Sequence, residues 1–250
     1  MNKITGVILG VAAAGVLGYA TYAIIDGNNK MTDFNSYDFT QPLAATVDNG
    51  NIGDHIKGKS DAPVVIVEYA DYQCSACAAV NPWVNDLVEK LDGKLAIAYR
   101  SFLLSYHQNA TAAASAAEAA GLQGYWKPYT NLLFEKQDEW FYDTPSERTE
   151  HFAQYFVAAT EGKGDMEKFS SDIASPEVAK KISFDMCIGK RIDIDGTPAF
   201  YLDGVRIAWG DKTGGSIMVN GETITWDSPR NTEDTFIELF TKIVNAKLKK

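Results

Sequence analysis

The sequence predicts an α/β domain with one mixed β-sheet, interrupted by an inserted helical block and preceded by an apolar N-terminal segment. Three features of the chain carry this reading. Residues 63–102 form a strand–helix–strand unit, amphipathic helical stretches fill most of 110–190, and two tight hairpins followed by a final helix close the chain. At 250 residues and 46% hydrophobic content the chain is long enough and apolar enough for a real core.

Pro63 to Ala70, PVVIVEYA, is short, β-branched and almost continuously apolar, the pattern of a buried strand. From Cys74 to Leu91 the apolar residues Val80, Trp83, Val84, Leu87 and Leu91 keep helical spacing, and Asp92-Gly93 ends the run. Lys94 to Phe102 is a second strand, so the unit is βαβ with a right-handed parallel crossover.

Ala110 to Ala120 is an Ala-rich helix stopped by Gly121, and Tyr125 to Gln137 places Trp126, Tyr129, Leu132 and Leu133 on one side. Thr144-Pro145-Ser146-Glu147 is a helix start with an N-cap Thr, Pro at the first position and Glu three residues after the cap. Ser175-Pro176-Glu177 opens another helix, with Val178, Ile182 and Met186 inward. Asp203-Gly204 and Asn220-Gly221 are hairpin turns that tolerate positive φ. The last helix begins near Thr232, buries Phe236, Leu239, Phe240, Ile243 and Val244, and ends in lysines that suit its dipole.

Ile4 to Ile25 contains no charge over 22 residues. At a rise of ~1.5 Å per residue it is ~33 Å long, matching a bilayer core of roughly 30 Å. Lys3 precedes it, so the short N-terminus stays in the cytoplasm and the remainder crosses. We read an uncleaved signal anchor over residues 1–25, with a signal peptide cleaved after Ala23 as the alternative. Both place the bulk of the chain outside the cytoplasm. Residues 26–59 are polar with poor apolar periodicity and read as a tether, ending in a short edge strand. The folded domain is expected over 60–250, with its helical insertion at about 105–190.

Charge and cysteine content exclude several classes. Lys and Arg number 23 against 33 Asp and Glu, a net charge of −10, which repels phosphate and argues against a nucleic-acid partner. Three cysteines are too few for a disulfide-stapled scaffold, and three scattered histidines, His55, His107 and His151, do not suggest a metal centre.

Cys74-Ser75-Ala76-Cys77 falls where the first strand of the βαβ unit meets its helix. The first amides of a helix lack internal partners, and with the macrodipole they favour negative charge on the exposed thiol of Cys74. Cys77, one turn further in, is expected to be less accessible. One sulfur open to attack and one buried sulfur that leaves is the asymmetry thiol–disulfide exchange requires. A purely structural disulfide, or a zinc or copper site with further ligands, are the competing readings. No cofactor motif is present, and none is needed if the Cys74–Cys77 pair itself carries the electrons.

CSAC after VVIVEYADYQ, Pro82 five residues beyond Cys77, and Gly196-Thr197-Pro198 before AFYLDG together resemble the thioredoxin fold. The intervening helical block, including YRSFLLSYHQNATAAASAAEAAGLQGYWKPYTNLLF, resembles the DsbA-like thiol–disulfide oxidoreductases. The resemblance implies Cys74 as nucleophile, Cys77 as resolving cysteine, and Pro198 as a cis-proline that brings the Thr197 backbone beside the sulfurs to pair with an extended substrate. A plain turn before a strand is the alternative for Gly196-Thr197-Pro198.

Glu68, six residues before Cys74 in an otherwise apolar strand, matches the family's buried acid. It would exchange a proton with Cys77; the competing reading is a solvated edge or a pairing with a base such as Arg100. With Ser75-Ala76 between the cysteines, no charged side chain there supports a Cys74 thiolate. The helix terminus is therefore expected to supply most of that stabilisation.

The resemblance also implies partners: exported proteins with free thiols, and a membrane quinone-linked reoxidant of the DsbB or vitamin K epoxide reductase kind. The reading is a membrane-anchored oxidase that introduces disulfides into exported proteins. A reductase or isomerase of the same fold and a redox-inert chaperone module are the alternatives. Cys187 reads as a small, partly buried helix residue, with a regulatory thiol or an intermolecular bridge as alternatives. Tyr69, Tyr72, Trp126 and Trp140 are read as core or interface aromatics rather than a peptide groove.

Overall fold

A computed structural model describes residues 33–210, 213–227 and 232–249. The apolar run at 4–25 expected to span a membrane lies outside the described residues. Among the described residues no helix is long and apolar enough to cross a bilayer.

The βαβ unit forms as the pattern predicts. Strand β2 (Val64–Ala70) runs parallel to β3 (Leu95–Ser101), in register from Val64 opposite Leu95 to Ala70 opposite Ser101, and helix α1 (Ser75–Lys90) crosses between them. An edge strand β1 (His55–Gly58) pairs antiparallel with β3. Strand β4 (Ala199–Leu202) pairs antiparallel with β2, and β5 (Val205–Ile207) with β4, so the sheet order is β1-β3-β2-β4-β5. Asp203 and Gly204 join β4 to β5 at positive φ, as the Asp-Gly turn requires.

Period-two alternation divides the sheet into two faces. Val64, Ile66, Leu95 and Ile97 lie under α1 and the final helix α8 (Glu233–Leu248). All five residues expected on the inner face of α8 are buried. A separate hairpin of β6 (Gly215–Val219) and β7 (Glu222–Trp226) completes that layer with Ile217, Val219, Ile224 and Trp226. Val67, Tyr69, Ala98 and Tyr201 lie on the opposite face, against Phe184 and Ile188.

The helical block comprises α2 (Ala110–Gly121), α3 (Trp126–Glu135), α4 (Gln137–Trp140), α5 (Pro145–Ala159), α6 (Met166–Ile173) and α7 (Pro176–Arg191). The Thr144 capping box forms, with the Thr144 amide donating to Glu147 at 2.9 Å. Tyr69, Tyr72, Trp126 and Trp140 are all buried, as core aromatics.

Residues 33–59 depart from the expected tether. They pack on the domain: Leu43 and Ile52 are buried, and Phe34, Tyr37 and Phe39 cover Phe184. Arg100 fastens this arm. Its guanidinium donates to the Phe39 and Gln41 carbonyls at 2.9 and 2.8 Å, and to Asp54 at 2.8 and 2.9 Å. Lys181 joins Asp54 to Asp185 in the same buried cluster. Composition alone read the arm as solvated because its few apolar residues find their partners far along the chain, Phe184 of α7 among them.

Candidate active site

Strand β2 ends at Ala70 and α1 begins at Ser75, so Cys74 sits at the N-cap in extended conformation with Cys77 in the first turn. Both are thiols in this structure. Cys77 is fully enclosed, while Cys74 keeps 7% of its surface open, enough for a sulfur at the mouth of the helix. The Thr197–Pro198 peptide is cis, and the Cys74 thiol donates to the Thr197 carbonyl at 3.3 Å across 123 residues of sequence. The plain-turn alternative for Gly196-Thr197-Pro198 therefore gives way to a segment that closes on the cysteine.

The two sulfurs differ in electrostatic character. A hydrogen bond from the Cys77 thiol holds Cys74 down to about 6 against the opposing effect of burial; Thr197 and the amides of Cys77 and Ala76 add to it. The neighbouring thiol and Thr197 thus act together with the helix amides that the sequence leads one to expect. Cys77 is pushed well above the ordinary thiol value by burial and by the Cys74 charge beside it. The pair is poised so that a negative charge settles on Cys74.

Glu68 lies on the α1 face of the sheet, fully buried, with Oε2 lacking any hydrogen-bond partner. Burial raises its pKa, opposed by the charge of Lys57. The pairing with Arg100 does not form. Arg100 is the register partner of Tyr69, one residue along, so it faces the other side of the sheet and engages Asp54 and the Tyr69 hydroxyl instead.

Lys57 escaped the sequence reading, because a lysine in a polar edge strand reads as solvent-facing. It is buried, and its amine donates to Asn81 on α1 at 2.7 Å. Burial lowers its pKa, while the charges of Glu68 and Cys77 act in the opposite sense. Glu68, Lys57 and Cys77 are thus all buried, and the charges of Glu68 and Cys77 both act on Lys57.

Asp71 also went unread. Its buried carboxylate accepts from the Gln73 amide at 2.8 Å, the Leu104 amide at 2.9 Å and His107 Nδ1 at 2.7 Å. His55 and His151 pair with Glu118 and Asp143, so the three histidines engage three different carboxylates. Cys187 is half-buried on α7, its thiol pushed up by burial.

Beside Pro198 opens a cleft of about 500 Å³, lined by Ala76, Trp83, Thr197, Phe200, Ile207 and Trp209.

Comparison with known proteins agrees with this geometry. A sequence model of the family described as thioredoxin matches residues 50–214. The oxidised BdbD structure from Bacillus subtilis superposes with a TM-score of 0.55 at 18% identity, covering 82% of this chain and 98% of that one. Alpha-DsbA1 from Wolbachia pipientis gives 0.55 at 20% identity, covering 78% and 92%. Among curated proteins, the Na(+)/H(+) antiporter NhaA 1 of Mycolicibacterium gilvum is 32% identical over 204 residues, 79% of this chain but 30% of the antiporter. The antiporter NhaA of Herminiimonas arsenicoxydans is 32% identical over 155 residues, 62% of this chain and 23% of that protein. The chain thus spans less than a third of the length of the curated relatives it matches, and the likeness concerns a part of them. The span matched by the family takes in β1 to β5 and both halves of the cysteine site, and the chain belongs to the thioredoxin family, with a DsbA-like fold.

Proposed function

We propose that the chain is a membrane-anchored, extracytoplasmic thiol–disulfide oxidoreductase that introduces disulfides into exported proteins. The observation that carries this reading is the unequal sulfur pair: Cys74, low in pKa, at the helix mouth against Thr197-Pro198, and Cys77, high in pKa, enclosed behind it. A low-pKa nucleophile stabilises the reduced enzyme, which makes its disulfide an oxidant.

In the oxidised enzyme a client thiolate attacks Cys74 Sγ. The Cys74–Cys77 bond breaks, a client–Cys74 disulfide forms, and Cys77 leaves as a thiolate. Glu68, whose hold on a proton burial strengthens, supplies the proton that Cys77 takes up. A second client thiolate then attacks the client sulfur of the mixed disulfide, and Cys74 departs as a stable thiolate. The client loses two electrons and the enzyme gains them. The Thr197 backbone, ahead of the cis-proline, offers main-chain hydrogen bonds to an extended client irrespective of its sequence. A membrane quinone-linked protein of the DsbB or vitamin K epoxide reductase kind would restore the disulfide, as in the family this chain resembles. No cofactor beyond the cysteine pair takes part.

Equilibration of the full chain with glutathione tests the direction. A potential well above that of thioredoxin, about −270 mV, supports the oxidase; a value at or below it assigns the reductase. A Cys77→Ala variant should accumulate mixed disulfides through Cys74. If Cys74→Ala restores function in cells lacking the protein, the chain is instead a redox-inert binding module.

A further inference from the structure

Residues 71–73, the connector between β2 and the cysteines, are held from one side by the helical block. The Asp71 carboxylate takes the Leu104 amide and His107 Nδ1, the Tyr72 carbonyl accepts from Gln137 at 2.7 Å, and the Gln73 side chain bonds the Phe141 carbonyl at 2.7 Å and the Asn109 amide at 2.6 Å. Each connector residue thus carries at least one bond to the block. Asp71 also reaches the redox pair through its backbone. Its carbonyl accepts the Cys74 amide at 3.0 Å. An ionised carboxylate only accepts, so His107 Nδ1 is the donor in their bond.

Resting on the redox reading above, we propose that Asp71 is a positioning residue: clasped by His107 and Leu104, it lets the helical block set how the Cys74–Cys77 pair sits against the first amides of α1, and so how oxidising the pair is. The carboxylate, enclosed and satisfied by three donors, has little freedom to move. Opening the His107 side of the clasp loosens the carboxylate and, through one residue's backbone, the bond to the Cys74 amide. The aligned donors on Cys74 then weaken, the thiolate loses support, and the disulfide becomes harder to reduce.

The test is the glutathione equilibrium of the full chain, with the pH dependence of Cys74 alkylation, for Asp71→Asn, His107→Ala and His107→Asn. Asn at 107 carries an amide nitrogen close to the position of Nδ1 and serves as the conservative rescue. Asp71→Asn and His107→Ala should each shift the equilibrium toward the disulfide by about tenfold, about 30 mV, and move Cys74 alkylation to higher pH. His107→Asn should lie near the wild type. A purely structural bond would lower the melting temperature without moving the potential. Equilibria within twofold of wild type for Asp71→Asn and His107→Ala, with cooperative melts, would overturn the proposal. So would a shift in His107→Ala that His107→Asn fails to restore. Should Asp71→Asn not fold, the two His107 variants decide the matter. A wild-type chain inert toward glutathione would remove the redox reading itself, an outcome distinct from an active wild type with unresponsive variants.

Discussion

The Lys57 amine and the Asn81 side chain meet at 2.7 Å, an edge strand reaching the residue one helical turn beyond Cys77. That bond gives the buried amine a partner inside the protein, where the charges of Glu68 and Cys77 act on it. Asn81 is itself steadied by Asn131, whose side-chain oxygen accepts from both Asn81 and Asn85. The polar group behind the sulfurs is therefore assembled from β1, β2, α1 and α3.

Replacing Lys57 with Met removes the charge that opposes the burial of Glu68. The Glu68 carboxyl should titrate higher, and exchange with a dithiol peptide should slow by about tenfold, the low end or below of general acid–base contributions. Carbon NMR titration of the glutamate and stopped-flow exchange measure the two effects. An unmoved Glu68 titration would show that the two groups are not coupled.

Glu68→Gln probes the acid directly. A carboxyl whose folded pKa is raised binds its proton more tightly in the folded state. Its contribution favours the fold below the ordinary value of 4.5 and is lost as pH rises through the raised value. The stability of the wild type relative to Glu68→Gln should therefore fall between acid and neutral pH in urea titrations of the reduced proteins. The same variant should slow exchange by at least about tenfold. If neither the Cys77 titration nor the exchange rate changes, the proton transfer proposed for Glu68 is wrong.

Cys74 has the opposite sign. Its folded pKa is depressed, to about 6, so in the reduced protein it favours the fold above the ordinary thiol value of 9.0, and this is lost as pH falls through about 6. Reduced wild type should gain stability over Cys74→Ser as pH rises from 6 to 9. A pH-independent difference between the two would show that the thiolate is not specially stabilised.

Asp54→Asn should destabilise the protein by about 3–5 kcal/mol, since it leaves Arg100 and Lys181 buried with less compensation. It should also expose residues 33–53 to protease before the rest of the domain. Urea unfolding and limited proteolysis followed by mass spectrometry check both outcomes. Loss of stability without earlier cleavage of the arm would mean that Arg100 is not what fastens it.

Local pattern made most of the fold legible. The β-branched apolar run VVIVEYA, the Thr144 and Ser175 helix starts and the two Xaa-Gly turns each determine an element from neighbouring residues, and each forms where expected. Helix α6 went unread because it is eight residues long and buries only Phe169, too little for a periodicity to show. Cys74, Cys77, Thr197 and Pro198 were legible because their chemistry travels in compact motifs. Lys57, Asp71 and His107 were not. Their importance arises from partners 24 to 36 residues away, brought together by strand register and by the return of the chain after β3.

The docking of residues 33–54 changes what a membrane anchor could do. With that stretch bound to the sheet, only positions 26–32 would separate Asp33 from an apolar span ending at Ile25. Seven residues reach about 25 Å at full extension. Such a leash would keep Asp33 within that distance of the lipid, and a domain so held would meet emerging polypeptides and embedded electron carriers before distant soluble proteins.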